Sequence, residues 1–306
     1  MATPRPSSFD RSRRRLLLAG AGSLVLAACG SGDEPTSARD TTTSTGGGAA
    51  AGTAGGGLTL LRVFAPEQAA GVPLRLPLAF ADAGGAPTDR VPDAIRVTAV
   101  SPSGVAAAPL EVARRGRGIP TPYFPFEATL DEPGAWELRI AAGAAETTTD
   151  LTVRPRQELA VVPGPGEALP SVPTPTTADA LGVEPLCTAA QTCPFHDVSL
   201  DQALAVGLPV VLLVATPAFC QTAVCGPVLD LLVERQADLA GRATVIHAEV
   251  YTDDRATDTT STVDALGLRY EPSLFVAAAD GTVRGRLDYT FDATELDEEL
   301  GALALS

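Results

Sequence analysis

The residues in this 306-residue sequence that are best suited to chemistry are its five cysteines. They are Cys29, Cys187, Cys193, Cys220 and Cys225. A thiolate is a nucleophile and a soft metal ligand, and two thiols can join as a disulfide. Cys220 and Cys225 follow the apolar run from Pro209 to Ala215 and precede a helical pattern, so this pair lies where a buried strand leads into a helix. A thiol at a helix N-terminus lies beside unpaired N–H groups that stabilise the thiolate.

Within this pair, the sequence assigns nucleophilic attack to Cys220, and Cys225 is the resolving thiol or the partner in a resting disulfide. Residues five apart lie about 140° apart around a helix. A bond between the two sulfurs therefore requires Cys220 to lie in the loop or first turn, with a helix that is distorted or starts late. The alternative interpretation is an inert disulfide that stabilises an exported protein.

Cys187 and Cys193 bracket a short segment just before the predicted C-terminal domain. The favoured interpretation is a local disulfide that fixes the entrance to that domain. The alternative is a second redox pair that exchanges with Cys220, which requires the two pairs to lie in contact.

Two histidines and two acidic residues are further candidates. His196 and His247 are the two histidines of the sequence, and for His247, inside a predicted strand, we expect a structural role in preference to metal binding. Glu249 and Asp253 lie toward the C-terminal end of that strand, where the sites of open α/β sheets form. Either carboxyl group is a candidate proton relay. The sequence leaves the ligands of any metal unassigned.

The composition excludes several classes of function. The chain has 22 basic and 37 acidic side chains, a formal net charge of −15, and every basic side chain is arginine. Without lysine, neither Schiff-base catalysis nor a Walker-type phosphate site is available. The acidic balance argues against nucleic acid or anionic lipid as an electrostatic partner, because counterion release needs clustered cations.

Residues 1–28 have the three parts of an export signal, which are a basic segment, an apolar segment and small residues. The basic segment, Arg13-Arg14-Arg15, resembles a twin-arginine signal, and Leu26-Ala27-Ala28-Cys29 resembles a bacterial lipobox. The resemblance implies that Cys29 receives a lipid and becomes the mature N-terminus. We therefore expect a protein anchored by its lipid to the extracytoplasmic face of the cell membrane, where disulfides persist.

The first part of the mature chain is predicted to be a tether followed by a β domain. Residues 29–57 are rich in Gly, Ala, Ser and Thr and indicate a flexible tether. Residues 58–155 alternate apolar and polar side chains in short runs, which predicts an all-β sandwich. The turn and strand at Asp131 to Trp136 resemble the end of immunoglobulin-like (Ig-like) domains of bacterial exported proteins. Arg114 to Arg117 is interpreted as a solvated loop, and Tyr123 to Phe126 as part of the core.

The second part is predicted to be a linker followed by an α/β domain. Residues 156–196 form a proline-rich linker that holds Cys187 and Cys193, and this proline density favours an extended, semi-rigid spacer. Residues 197–306 give helix and strand signals in the order helix, strand, helix, strand, helix-rich connection, hairpin, helix. The hairpin is expected to turn at Asp280-Gly281.

This order resembles the thioredoxin fold, with the cysteine pair at the position of that family's active site. Tyr270-Glu271-Pro272-Ser273 resembles the family's loop before the next strand of the sheet. The resemblance implies that Pro272 is in the cis form, faces Cys220 and shapes a substrate groove. It also implies a thiol–disulfide oxidoreductase whose partners are the thiols or disulfides of exported proteins, with an unidentified redox partner.

The pair departs from the thioredoxin family in two ways. Four residues separate the cysteines instead of two, and Val214 stands where the family carries a buried Asp. Q-type peroxiredoxins have the four-residue gap, but here Thr216 is one residue too far from Cys220. Copper chaperones of the Sco type hold Cu(I) between two thiolates and a His, although with a three-residue gap. A non-catalytic binding lipoprotein with structural disulfides is the remaining alternative.

Overall fold

Short alternating apolar runs build the strands of the first half of the chain. The computed structural model describes residues 50–53, 58–159 and 162–303. The strands of this half are β1 (Ala50–Thr53), β2 (Thr59–Arg62), β3 (Glu67–Ala69), β4 (Pro73–Ala81), β5 (Ala94–Val100), β6 (Leu110–Ala113), β7 (Phe124–Thr129), β8 (Gly134–Ala142) and β9 (Ala145–Arg154).

The predicted signal peptide, Cys29 and the tether up to residue 49 lie outside the described residues. Part of the predicted tether forms β1 instead, which pairs antiparallel with β2. Strand pairing uses backbone groups that every residue except proline supplies, so the small side chains of this segment did not indicate it. Among the helices of the described ranges, none has both the length and the apolar character needed to cross a membrane.

The nine strands form two sheets that share one hydrophobic core. The first sheet has the order β1-β2-β4-β7 and the second has the order β3-β9-β8-β5-β6. β9 alternates strictly between buried and exposed residues, which is the pattern of a sheet with one face in the core. Leu78 and Phe126 of the first sheet and Val97 and Leu138 of the second lie in the same cluster. This half is therefore a two-sheet β structure, consistent with an Ig-like domain.

The C-terminal half is an α/β structure whose elements follow the predicted order. They are α1 (Leu200–Val206), β10 (Val210–Val214), α2 (Cys225–Glu234), α3 (Gln236–Leu239), β11 (Thr244–Ala248), α4 (Ser261–Leu266), β12 (Ser273–Ala277), β13 (Val283–Asp288) and α5 (Ala293–Ala302). The sheet order is β11-β10-β12-β13, with β10 parallel to β11 and antiparallel to β12. The β12–β13 hairpin turns at Asp280-Gly281, where Gly281 has a φ of 79°.

Both faces of this sheet are covered by helices. Val211 and Leu213 of β10 face a core shared with α2 and α5. Leu212 and Val214 face a second core shared with α1 and α4. All five residues of β10 are buried, which explains why its sequence is a continuous apolar run without alternation.

The proline-rich segment is packed against the α/β half. The amide of Gly166 donates to the carbonyl of Val283 at 2.9 Å, and the amide of His247 donates to the carbonyl of Phe195 at 3.0 Å. Leu169 and Phe195 are buried. The structure thus differs from the extended spacer that the prolines favour, because the segment's backbone groups bond to the edge strands of the sheet.

The loop that holds Arg117 docks on the start of α5. Asp292 caps this helix, since its Oδ1 accepts from the amides of Thr294 and Glu295 at 2.9 and 3.0 Å. Its Oδ2 accepts from the amides of Gly116 and Arg117, both at 2.9 Å. The loop at residues 114–117 therefore differs from the solvated loop expected from its charge, because its backbone bonds to the second half.

A buried ion pair lies beside this contact. Arg75 of β4 donates to both carboxylate oxygens of Glu295 in α5, at 2.7 and 2.6 Å. Its guanidinium also donates to the carbonyl of Thr290 at 2.7 Å. The hydroxyl of Tyr123 contacts the same carboxylate, and burial raises the pKa of this phenol. Phe126 packs in the sandwich core as predicted, whereas Tyr123 joins the two halves.

Candidate functional site

Cys220 lies in the loop that connects β10 to α2, and Cys225 is the first residue of α2. The loop begins with a turn in which the amide of Cys220 donates to the carbonyl of Thr216 at 3.0 Å. Ala223 has a φ of 54°, a left-handed conformation that residues with a Cβ rarely adopt. The helix thus starts five residues after Cys220, in agreement with the late start that a bond between the two sulfurs requires.

The two thiols of this pair differ strongly in electrostatics. A hydrogen bond from the Cys225 thiol lowers the pKa of Cys220 to about 5, with further contributions from the Thr222 side chain and the amides of Val224 and Cys225. The Thr222 hydroxyl lies 3.4 Å from the Cys220 sulfur. Burial and the hydrogen bond to Cys220 raise the pKa of Cys225. These shifts favour the thiolate form at the half-buried Cys220 and the protonated form at the buried Cys225.

Glu271 is the acidic group beside the two sulfurs. A carboxylate oxygen of Glu271 and the sulfurs of Cys220 and Cys225 all lie within 4.8 Å of one another. Burial, followed by the charge on Cys220, raises the pKa of Glu271 to about 8. From the sequence, Glu271 was expected only as part of the loop before the strand that is β12 in the structure. A carboxyl group directly before Pro272 was the signal that could have identified it.

The two carboxylates proposed from the sequence as proton relays lie elsewhere. Glu249 is buried and accepts from the amide of Thr188 at 2.6 Å and from its hydroxyl at 2.9 Å. Burial raises the pKa of Glu249. Asp253 accepts from Arg255 Nε at 2.8 Å. Within the part of the chain that the structure describes, Glu271 is the carboxylate grouped with the sulfurs of Cys220 and Cys225.

Pro272 follows Glu271 and precedes β12. The peptide bond between these two residues is cis, the form that the family resemblance implies. Pro272 is buried, and its carbonyl accepts from the amide of Tyr289 at 2.8 Å. Its role in shaping a substrate groove stays a prediction.

The alkylation rate of Cys220 should follow a titration with a midpoint near pH 5. The pKa of Cys220 is lowered to about 5, so the reactive thiolate is present above this pH and is lost as the pH falls through it. Iodoacetamide labelling between pH 4 and 9, read by mass spectrometry of the Cys220 peptide, measures this profile. A midpoint at the ordinary thiol value would contradict the electrostatics described for the loop.

Glu271→Gln is the matched variant for this profile. Glu271 is uncharged at pH 5, because its pKa is about 8, so the variant should keep the midpoint near pH 5. Above pH 8 the wild-type carboxyl ionises and adds a negative charge beside the thiolate. A second rise in rate near pH 8 is therefore expected in the wild type and not in the variant.

A second group of potential ligands, hereafter the Cys2His2 cluster, lies beside β11. It consists of Cys187, Cys193, His196 and His247, whose ligand atoms all lie within 4.8 Å of one another. The Cys193 sulfur is 3.2 Å from His196 Nε2 and 3.4 Å from His247 Nδ1. The Cys187 sulfur is 3.9 Å from the same nitrogen of His247. Both histidines and Cys193 are buried, and Cys187 is half-buried.

The two cysteines of this cluster are free thiols in the structure, so the predicted disulfide is not formed in it. A hydrogen bond from the Cys193 thiol lowers the pKa of Cys187, and the same bond raises the pKa of Cys193. Sequence reasoning treated the cysteines and the histidines separately. The spacing Cys187-x5-Cys193-x2-His196 was the available signal, since it resembles the close ligand spacing of metal sites.

Thr188 connects the Cys2His2 cluster to the Cys220 loop. This residue follows Cys187, and its hydroxyl accepts from the amide of Ala218 at 3.2 Å. The hydroxyls of Thr188 and Thr216 lie 3.5 Å apart. Both cysteine pairs also belong to one hydrophobic cluster. The segment that holds Cys187 thus packs against the loop that holds Cys220.

Comparisons with known proteins leave the family open. No family model matches the chain, and no curated protein matches it. Among solved structures, the Lin-41 filamin domain is similar at 14% identity and a TM-score of 0.25, over 32% of this chain and 91% of that domain. Salmonella alpha-2-macroglobulin is similar at 18% identity and a TM-score of 0.27, over 42% of this chain and 8% of that protein.

The DsbH oxidoreductase is similar at 14% identity and a TM-score of 0.23, over 40% of this chain and 92% of that protein. At TM-scores this low, these structures are weak neighbours and do not assign a family.

Proposed function

We propose that this chain is an exported thiol–disulfide exchange protein that acts through Cys220 and Cys225. The observation that carries the proposal is the position of the half-buried Cys220 in the loop before α2, with the buried Cys225 at the start of the helix and a carboxylate oxygen of Glu271 within 4.8 Å of both sulfurs. Exchange needs one accessible nucleophilic thiol and one resolving thiol beside it, and the lowered pKa of Cys220 supports its part as the nucleophile. The thioredoxin-like architecture inferred from the sequence is part of this proposal.

In the first step, the Cys220 thiolate attacks one sulfur of a substrate disulfide. A bond forms between Cys220 and that sulfur, the substrate S–S bond breaks, and the departing sulfur leaves as a thiolate that takes a proton from water. In the second step, Cys225 attacks the Cys220 sulfur and releases the second substrate thiol. The substrate disulfide is reduced, and the protein is left with a Cys220–Cys225 disulfide. The reverse sequence oxidises a substrate dithiol.

Glu271 is suited to take the proton of Cys225 in the second step. Cys220 loses its negative charge when the mixed disulfide forms, and that charge is, after burial, the largest cause of the raised pKa of Glu271. The carboxyl group therefore ionises more readily at the stage when Cys225 must be deprotonated. A general base is most effective when its pKa lies near the working pH, as it does here. Glu271 replaces the buried Asp that the thioredoxin family carries at the position of Val214.

The proposed location rests on the export-signal and lipobox resemblances of the N-terminal sequence, and the proposed partners rest on the thioredoxin resemblance. Cys29 is the proposed lipid attachment site, which places the exchange site outside the cytoplasm on a membrane anchor. The substrates are exported proteins with thiols or disulfides, and Pro272 is the proposed boundary of the groove that receives them. The β-sandwich serves in this proposal as a spacer or binding module attached to the exchange domain.

A redox titration tests the proposed function. The protein is equilibrated in dithiothreitol or glutathione buffers of graded potential, the thiols are alkylated, and the disulfides are mapped by mass spectrometry. We expect a reversible Cys220–Cys225 disulfide with a reduction potential above about −300 mV, because structural disulfides lie below about that value. A potential well below about −300 mV would show a structural bond and leave a non-catalytic binding lipoprotein as the function. The Cys220→Ser variant controls for disulfides elsewhere in the chain.

A further inference from the structure

We propose that the Cys2His2 cluster binds a zinc ion. Closed structural zinc sites use four protein ligands, commonly thiolates and imidazoles, in a tetrahedral arrangement. With Zn–S bonds of about 2.3 Å and Zn–N bonds of about 2.0–2.1 Å, a tetrahedral site separates sulfur from nitrogen by about 3.6 Å. The sulfur–nitrogen distances of 3.2, 3.4 and 3.9 Å in the cluster are close to this separation.

The orientation of His247 is that of a metal ligand. Its Nε2 lies 3.0 Å from the carbonyl oxygen of Ala215. A carbonyl oxygen can only accept a hydrogen bond, so Nε2 carries a proton and Nδ1 is the ring nitrogen that faces the two sulfurs. Metal-bound histidines characteristically donate the other ring N–H to a carbonyl or carboxylate, which fixes the ring and its tautomer.

Charge balance favours zinc over Cu(I) at this position. Uptake of Zn²⁺ by Cys187 and Cys193 displaces the two thiol protons, which leave with solvent, and forms two Zn–S bonds. Two thiolates, two neutral imidazoles and Zn²⁺ sum to zero charge, and a neutral group suits a buried site. The same ligands around Cu(I) would carry a net negative charge. The number of ligands also favours zinc over Cu(I), because four ligands complete a zinc coordination shell.

The proposed zinc ion would attach the proline-rich segment to the sheet. Three ligands come from the segment before α1, and His247 comes from β11, 54 residues after Cys193. Thr188 in the same segment contacts the amide of Ala218 in the Cys220 loop. The ion would therefore fix the segment that packs against the Cys220 loop. The zinc site does not depend on the proposed exchange function, since its ligands are separate residues.

Metal titration of the full-length protein tests this inference. The reduced, metal-free protein is titrated with Zn²⁺, and in parallel with Co²⁺, whose visible absorption reports tetrahedral thiolate coordination. We expect one equivalent of either ion, Co²⁺ bands that Zn²⁺ removes, and a higher midpoint of thermal unfolding with zinc. Failure of the reduced protein to bind one Zn²⁺ would overturn the proposal.

Variants assign the ion to its ligands. Cys187→Ser should weaken zinc binding by more than the about 10–100-fold that loss of an outer-shell contact costs, and it should weaken the Co²⁺ charge-transfer band, because Cys193 remains as the one thiolate of the cluster. His196→Gln removes a nitrogen ligand without changing a cysteine and should also weaken zinc binding, while the charge-transfer band of the two thiolates is retained in the cobalt-loaded protein. Cys220→Ser is the matched control, because it removes another half-buried thiol and should bind zinc as the wild type does. Normal binding by Cys187→Ser with loss in Cys220→Ser would place the metal at the other pair and overturn the inference.

Discussion

Replacing Cys220 with serine should abolish mixed-disulfide formation, whereas replacing Cys225 with serine should trap it. A serine hydroxyl stays protonated at neutral pH, so the first variant has no nucleophile in the loop and should lose more than about 100-fold in exchange rate. Cys225→Ser retains the Cys220 thiolate but cannot resolve the mixed disulfide. Incubation with glutathione disulfide, followed by intact-mass and peptide analysis, should therefore show one glutathione on Cys220 in Cys225→Ser and none in Cys220→Ser.

Cys187→Ser is the comparison that separates the two cysteine pairs. If Cys220 reacts directly with substrate, this variant should still form the mixed disulfide at Cys220 and should still turn over. The alternative from the sequence, in which the Cys187–Cys193 pair passes electrons to Cys220, predicts loss of turnover with retention of the first mixed disulfide. Full exchange activity in Cys220→Ser would refute the mechanism outright.

The cysteine pair could be predicted from the sequence because its signal is local. A buried apolar strand, a short loop and a helical pattern lie consecutively in residues 210–234, and their order places Cys220 in the loop. The late start of α2 is the arrangement that the angular spacing of a helix requires if the two sulfurs are to form a bond. Glu271 could not be assigned in this way, because its position beside the sulfurs depends on how β12 pairs with β10 across the sheet.

The Cys2His2 cluster required contacts between distant parts of the chain. His247 approaches Cys193 only because Phe195 pairs with the edge strand β11, and the proline-rich composition gave no sign of that pairing. Prolines lack an amide hydrogen, but the residues between them have donors that can bond to a sheet edge. The linker was therefore predicted as a spacer, and the sequence did not indicate that the histidines lie beside the cysteines.

The contact between the two halves also could not be predicted from the sequence. The basic loop at residues 114–117 bonds to acidic residues of α5 that lie far away in the sequence. Arg117 and Asp297, for example, are 180 positions apart. Period-two alternation identifies the buried face of a strand but does not indicate what an exposed face contacts. Arg75 lies among buried residues of β4, and this interruption of an apolar run by a charge was the one indication of a buried partner.

The Arg75–Glu295 pair is a buried, bidentate ion pair between the two halves. The side chains are 14% and 6% exposed, and Arg75 donates to both carboxylate oxygens, so the two charges compensate each other away from water. Burial alone would lower the pKa of Arg75, but its bonds to Glu295 raise it overall. Removing one partner of a buried pair leaves an uncompensated charge, whereas replacing both with apolar side chains does not.

Glu295→Ala should therefore lower the free energy of unfolding by about 3–5 kcal/mol, as measured by urea denaturation followed by fluorescence of Trp136 and by circular dichroism. Glu298→Ala is the matched control on the same helix, because its pair with Arg115 is largely exposed and is worth about 0–1 kcal/mol. In the double variant Arg75→Met, Glu295→Leu, most of the loss should be recovered, since no unpaired charge remains buried. A loss in Glu295→Ala no larger than in Glu298→Ala would mean that water reaches Arg75 and that the two halves separate readily. A large loss that the double variant does not recover would instead place the energy in the contact of Tyr123 with this carboxylate.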